Sequence, residues 1–142
     1  MKLRAASFFT VIVLATACVL LSFKNQNPFD LKASITRGKE VYNTYCVTCH
    51  MDEGQGLEGV FPPLAKADYL MADTKRSIQQ ILYGANIEMK VNGVTYNAEM
   101  VAIDLKDDET SDVLNYVRNS FGNNGKAVKP EDVKAARKKI PE

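Results

Sequence analysis

Cys46-Val47-Thr48-Cys49-His50 is the most informative segment of this sequence. It contains two of the three cysteines and the only histidine of the chain. A structural zinc site needs four ligands, and no second cysteine–histidine pair exists elsewhere to complete one. A thioredoxin-like dithiol needs a strand–helix–strand context, and the surrounding sequence has no such pattern. Both interpretations are therefore disfavoured.

The same five residues have the Cys-x-x-Cys-His spacing of covalent haem attachment. In that chemistry each cysteine sulfur forms a thioether with a haem vinyl group, and the histidine presents its imidazole to the iron. One helical turn brings both sulfurs to the porphyrin edge and turns the histidine beneath its face. The motif predicts one haem c, attached through Cys46 and Cys49, with His50 as an iron ligand.

Length and charge limit the function classes that remain. The 142 residues are enough for one small domain, which excludes a (β/α)8 barrel, a two-domain dehydrogenase and a polytopic transporter. The net charge of +1 provides no positive field for nucleic acid binding. Charge is divided unevenly, with net −4 over residues 24–124 and net +3 over residues 125–142. The negative part predicts a partner with a basic docking patch.

Residues 1–23 are predicted to be a signal peptide or a transmembrane anchor. Residues 5–23 contain no charged side chain and would span about 29 Å as a helix, close to the hydrocarbon thickness of a bilayer. Cleavage after Ala17, which ends a small-x-small triplet, is one alternative. Lipidation at Cys18 is another. The uncleaved anchor is favoured because the apolar run continues to Phe23.

The orientation of this segment follows from the charges that precede it. Lys2 and Arg4 predict a cytoplasmic N-terminus, so the chain beyond Phe23 faces outward. The sequence therefore predicts a domain in the bacterial periplasm, tethered to the inner membrane through residues 5–23. A polar linker at 24–33, a folded domain at 34–124 and a charged tail at 125–142 follow. The tail is expected to form a short helix that begins at Pro130.

Two helices with apolar stripes are predicted at the ends of the folded domain. Ser34 is a candidate N-cap for the first, which runs to the haem motif. Its buried face is predicted to comprise Gly38, Val41, Tyr42 and Tyr45. The last helix begins with the acidic turn 107–109 and is closed by Gly122. Between them, the pattern predicts a middle helix over 73–83 and a type I′ hairpin at Asn92-Gly93.

The stretch Gly54-Gln55-Gly56-Leu57-Glu58-Gly59 spells G-x-G-x-x-G but does not predict a dinucleotide site. It follows a histidine rather than a strand, and Phe61-Pro62-Pro63 prevents the helix whose N-terminus would bind phosphate. We interpret it as a flexible loop after the haem motif.

Taken together, these features resemble the monohaem class I cytochromes c over residues 34–124. The resemblance implies an all-α fold of three to four helices around one covalently attached haem. It also implies that the first and last helices cross, with Gly38 allowing close approach near Tyr116. In this family a proline carbonyl accepts a hydrogen bond from Nδ1 of the ligating histidine. Pro62 is the favoured candidate for that role, and Pro63 is the alternative.

The second axial ligand must be a residue other than histidine, because His50 is the only one. Methionine sulfur is the remaining soft donor suited to haem iron. Met89 and Met100 are the candidates, since the other methionines lie in the N-terminal segment, beside His50, or before the middle helix. The family places its ligating methionine on a loop shortly before the last helix, which favours Met100. Val101 follows it where the family often has proline.

With His50 and Met100 both bound to iron, no site would be open for oxygen or peroxide. The predicted function is therefore one-electron transfer in a periplasmic or membrane-associated respiratory chain, and not enzymatic catalysis. The expected partners are redox proteins such as a respiratory complex, a terminal oxidase or a reductase. Two alternatives remain: a haem-based gas sensor, if Met100 is displaceable, and the cytochrome subunit of a larger oxidoreductase.

Overall fold

The computed structural model of the protein describes residues 28–137. The predicted signal peptide or anchor, residues 1–23, lies outside the described residues, and so do residues 138–142. Within 28–137, every helix is too short or too polar to cross a membrane.

Six helices and one antiparallel hairpin make up the described part of the chain. The helices are α1 (Leu31–Tyr45), α2 (Val47–His50), α3 (Asp68–Ala72), α4 (Thr74–Tyr83), α5 (Asp107–Arg118) and α6 (Pro130–Arg137). The strands are β1 (Met89–Val91) and β2 (Val94–Tyr96). Asn92 and Gly93 between them both have positive φ, as a type I′ turn requires. The predicted helical class, middle helix and hairpin are confirmed.

The two longest helices, α1 and α5, cross at Gly38. A Cβ atom at Gly38 would lie 1.9 Å from the carbonyl oxygen of Asp112 and 2.9 Å from Cβ of Tyr116, so only glycine allows this approach. The close contact predicted near Tyr116 is therefore present. One turn further along α1, Tyr42 is fully buried, and its ring packs at 5.3 Å from that of Tyr116 and 5.4 Å from that of Phe121.

Helix α1 begins earlier than predicted, because Asp30 and not Ser34 is its N-cap. The Asp30 carboxylate accepts a hydrogen bond from the backbone N–H of Ala33 at 3.0 Å. Aspartate caps a helix as well as serine does, which allows α1 to begin one turn before Ser34. Ser34 lies inside α1, is buried, and donates its hydroxyl to the Asp112 carboxylate at 2.6 Å.

Two further details differ from the sequence prediction. Tyr45, predicted to be buried, is 54% exposed and borders a cavity described below. Gly122 does not close the last helix, since α5 ends at Arg118. The side chain of Asn123 donates to the carbonyl of Val117 at 2.7 Å, which satisfies a carbonyl of the final helical turn without a glycine cap.

The segment after residue 124 belongs to the packed unit, although the predicted domain boundary lies there. The backbone N–H and carbonyl of Val128 both bond to the Asn115 side chain at 2.7 Å, and Ser111 donates to the same carbonyl at 2.8 Å. The helix predicted at Pro130 is present as α6, and its Val133 and Ala136 are buried. The described packing thus extends from Asp30 to Arg137, beyond the predicted limits of 34 and 124.

The helix crossing predicts a large effect of Gly38→Ala. Alanine favours helix over glycine by about 1 kcal/mol, but its methyl group would overlap the Asp112 carbonyl. We expect the free energy of unfolding to fall by about 2 kcal/mol, within the usual range for overpacked contacts. Denaturant unfolding of the holoprotein measures it. Lys39→Ala at the exposed neighbouring position is the control, and a Gly38→Ala protein as stable as wild type would contradict the prediction.

Candidate functional site

Cys46, Cys49 and His50 are brought together by one short helical turn at the end of α1. Cys46 ends α1 and caps α2, and the backbone N–H of His50 returns to the Cys46 carbonyl at 3.0 Å. Both thiols are free and partly buried. Burial raises the pKa of the Cys46 thiol to about 11, so the free side chain is protonated at neutral pH.

These three side chains line a cavity of about 270 Å³. The other walls come from α3, α4, α5, β1 and the loops between these elements, and they are mostly apolar. Leu70, Ile81 and Leu114 are representative of these walls. A cavity of this kind, with a few polar groups at its edge, is typical of a cofactor site.

His50 is held in one orientation by the Pro62 carbonyl, whose oxygen lies 3.0 Å from Nδ1. Because a carbonyl oxygen only accepts, Nδ1 carries the hydrogen and Nε2 keeps its lone pair. Burial lowers the pKa of His50, against the opposing effect of the Pro62 hydrogen bond. The imidazole is thus neutral near pH 7 and available as a metal ligand through Nε2. Of the two candidate prolines, Pro62 makes this contact.

The loop after the haem motif positions Pro62 and is tightly connected, although a flexible loop was predicted. The backbone N–H of Gly56 donates to the His50 carbonyl at 3.0 Å, and that of Leu64 donates to Gly54 at 2.7 Å. A Cβ at Gly56 would lie 2.3 Å from the Phe61 carbonyl oxygen and 2.8 Å from that of Pro62. Gly56 is therefore a site residue that the sequence prediction missed. Its signal was the repeated glycine spacing just before the proline pair.

Met89 and Met100 both line the cavity. Met89 is buried in β1, where it pairs with Tyr96. Met100 lies on the loop between β2 and α5, and its backbone exchanges two hydrogen bonds of 2.8 Å with Ala85. The structure thus brings both candidate methionines to the same cavity as His50.

The donor set fits a haem c. Two free thiols are available for two thioether bonds, and a neutral imidazole has Nε2 free for iron. Two methionine sulfurs border the same apolar space. Across the described residues, no group of three or more His, Cys, Asp or Glu side chains is arranged to hold a different metal ion.

Comparison with known proteins supports the same cofactor. The Cytochrome c family model matches residues 35–121. Cytochrome c-552 of Thermus thermophilus is 38% identical over 112 residues, covering 72% of this chain and 85% of that protein. The cytochrome c subunit of the quinone alcohol dehydrogenase of Gluconobacter oxydans is 34% identical over 89 residues, 61% of this chain and 19% of that protein.

A third relative is a subunit of an oxidase. The FixP subunit of the cbb3-type cytochrome c oxidase of Bradyrhizobium diazoefficiens is 33% identical over 113 residues, which cover 76% of this chain and 38% of that subunit. The family match spans well over half of the chain and includes Cys46, Cys49 and His50. The chain therefore belongs to the cytochrome c family, as a class I monohaem c-type cytochrome with a covalently bound haem c.

Proposed function

We propose that this protein is a one-electron carrier in which His50 and Met100 are the axial ligands of the haem iron. The observation that carries the proposal is the 3.0 Å contact between His50 Nδ1 and the Pro62 carbonyl, which directs Nε2 away from the carbonyl as a metal donor. The haem supplies a ferric–ferrous one-electron couple. The hydrogen bond from His50 to Pro62 raises the basicity of the imidazole toward iron.

Met100 is the proposed second axial ligand because it lies on the loop before α5 and its backbone is held at the cavity wall. The pairing with Ala85 fixes its main chain. Met89, in contrast, is part of the paired hairpin and contributes to the buried core. Thioether ligation favours ferrous iron relative to a second imidazole, so the proposed pair predicts a comparatively high reduction potential.

Electron transfer rather than catalysis follows from two saturated axial positions. Neither face of the iron would be open to a substrate, and the apolar walls around His50 would limit the access of water to the haem iron. We propose that the partners are redox proteins of a respiratory chain, encountered through small, short-lived contacts.

The location is proposed from the sequence. The charge-free run at residues 5–23 behind Lys2 and Arg4 supports export to the periplasm and a tether to the inner membrane. A tether would confine the domain near its partners and raise their effective concentration.

A second candidate function is that of a cytochrome subunit in a larger oxidoreductase. The subunits of the Gluconobacter dehydrogenase and of the Bradyrhizobium oxidase are the observation in its favour. Gentle detergent extraction followed by size-exclusion chromatography discriminates the two functions. A haem peak that co-elutes with a catalytic partner supports the subunit, and one that elutes alone supports the mobile carrier.

The axial pair is tested by the weak far-red absorption band of methionine-ligated ferric haem. We expect wild type and Met89→Ala to show the band and Met100→Ala to lose it, because only Met100 would be coordinated. Visible spectroscopy of the oxidised proteins measures it. A band lost in Met89→Ala and kept in Met100→Ala would reverse the assignment. Stoichiometric carbon monoxide binding to the reduced wild type at neutral pH would favour the gas sensor instead.

The Pro62 hydrogen bond is tested by a pair of glycine variants, Gly56→Ala and Gly59→Ala. Both residues have positive φ, 63° and 73°, so both substitutions strain the backbone similarly. Only a methyl group at position 56 would displace the Pro62 carbonyl, since no atom lies within 4 Å of a Cβ at position 59.

We expect Gly56→Ala to raise the reduction potential, because a less basic imidazole stabilises ferric iron less. The shift should be at most about 60 mV, the equivalent of one hydrogen bond of about 1.4 kcal/mol. Potentiometric titration measures it, with Gly59→Ala expected near wild type. Equal potentials in the two variants would rule out this role of Pro62.

A further inference from the structure

We propose that helix α6 is a strap that holds the Met100 loop, residues 97–106, in place, and that Arg137 is the positioning residue through which it acts. The proposal rests on the proposed ligation of iron by Met100. It assigns to the C-terminal segment a role in the strength of that ligation, separate from docking to a partner.

The Met100 loop is attached at two points. Its middle is joined to the end of α4, where Met100 and Ala85 exchange two backbone hydrogen bonds and Ile103 donates to the Ile81 carbonyl at 2.9 Å. A Cβ at Gly84 would lie 2.5 Å from the Met100 carbonyl oxygen, which shows how closely the two segments pack. The loop ends where α5 begins, at Asp107. The position of Met100 therefore depends on the end of α4 and the start of α5 remaining together.

The last residue of α6 contacts both attachment points. Arg137 Nε donates to Asp107 Oδ1 at 2.5 Å, and its Nη2 donates to the carbonyl of Leu105. On the other side, the hydroxyl of Tyr83, the last residue of α4, donates to the Arg137 carbonyl at 3.2 Å. One residue thus bridges the end of α4 to the end of the Met100 loop.

The other end of the strap is anchored in the core. Val133 and Ala136 of α6 are buried, and Val128 before it is bonded to Asn115 on α5. The Arg137 and Asp107 side chains are themselves about one third exposed, at 36% and 33%. An ion pair of that exposure contributes modestly to the free energy of unfolding. The strap can therefore shift the position of the Met100 loop without determining the fold.

Loosening the strap should increase the fraction of molecules in which Met100 has left the iron. A ligand that competes for the sixth position then binds with an apparent affinity that rises in proportion to that fraction. Imidazole added to the ferric, full-length holoprotein is such a probe. Its apparent affinity measures the fraction of molecules in which Met100 is not bound to iron. A purely structural role of α6 would not change this affinity.

We expect Arg137→Ala to raise the imidazole affinity about three- to tenfold, the range for losing a partly exposed ion pair and a hydrogen bond to a backbone carbonyl. Arg137→Lys retains the positive charge but cannot bond to Asp107 and Leu105 at once. Its imidazole affinity should lie between those of wild type and Arg137→Ala. Lys134→Ala is the matched control, because it removes an exposed positive side chain from the same helix. It should leave the affinity at the wild-type value.

A second control separates the strap from general loss of stability. Arg37→Ala removes the ion pair with Asp112 at the α1–α5 crossing, 2.6 Å from Nε to Oδ2. It should lower the melting temperature without changing imidazole affinity. Wild-type affinity in Arg137→Ala, or an equal increase in Arg37→Ala, would overturn the proposal.

The Met100→Ala background distinguishes failure of the strap from failure of the proposed ligation. With no methionine to displace, Arg137→Ala should add nothing to the imidazole affinity of Met100→Ala. If the far-red band is present in wild type and lost in Met100→Ala while Arg137→Ala binds imidazole as wild type does, only the strap is wrong. If wild type lacks the band, the ligation by Met100 is wrong and the strap proposal is overturned with it.

Discussion

The contact between α1 and α5 at Gly38 brings the two longest helices of the described residues into direct backbone contact. The two backbones approach so closely there that no side chain fits, and the carboxylate of Asp112 lies buried beside the contact. Ser34 donates to that carboxylate, and Arg37 donates to it through two nitrogens at 2.6 and 2.8 Å. Removing either partner would leave the buried Asp112 carboxylate poorly compensated, so loss of Ser34 or Arg37 would destabilise the protein at the crossing. Because the haem motif directly follows α1, the crossing determines where Cys46 begins the cofactor site.

Two loops bring Pro62 and Met100 to the cofactor site, and hydrogen bonds connect both loops to neighbouring segments. The loop after the haem motif, residues 51–64, is joined to the His50 carbonyl through Gly56, and the Met100 loop is joined to α4 through the Ile81 carbonyl. The side chain of Asn123 connects the segment after Pro62-Pro63 to the end of α5, since it donates to the carbonyls of Leu64 and Val117. Such connections explain how irregular segments can present ligands in a defined geometry, which an electron carrier needs if its structure is to change little between oxidation states.

The C-terminal segment illustrates how a charged tail can belong to a core. Its composition, net +3 over residues 125–142, is typical of a solvated extension. Yet Val128 and Val133 are almost completely buried, and a buried asparagine side chain satisfies the backbone of Val128. The few apolar residues between the charges therefore decide where residues 125–137 lie, while the charged side chains of that stretch remain exposed.

The haem chemistry, one turn and one helix end could be predicted from short segments of the sequence. The spacing of Cys46, Cys49 and His50 identified the haem, and Asn92-Gly93 and Gly84 marked a turn and a helix end, because these features depend on residues a few positions apart. Long-range packing makes Ser34 a buried donor instead of a cap and brings the carbonyl of Pro62, not that of Pro63, to His50. It also decided that α6 joins the core. The physical reason is distance along the chain: the partners of Ser34 are Asp112 and Asn115, 78 and 81 residues away, and no local pattern reports which distant polar group a buried side chain will meet.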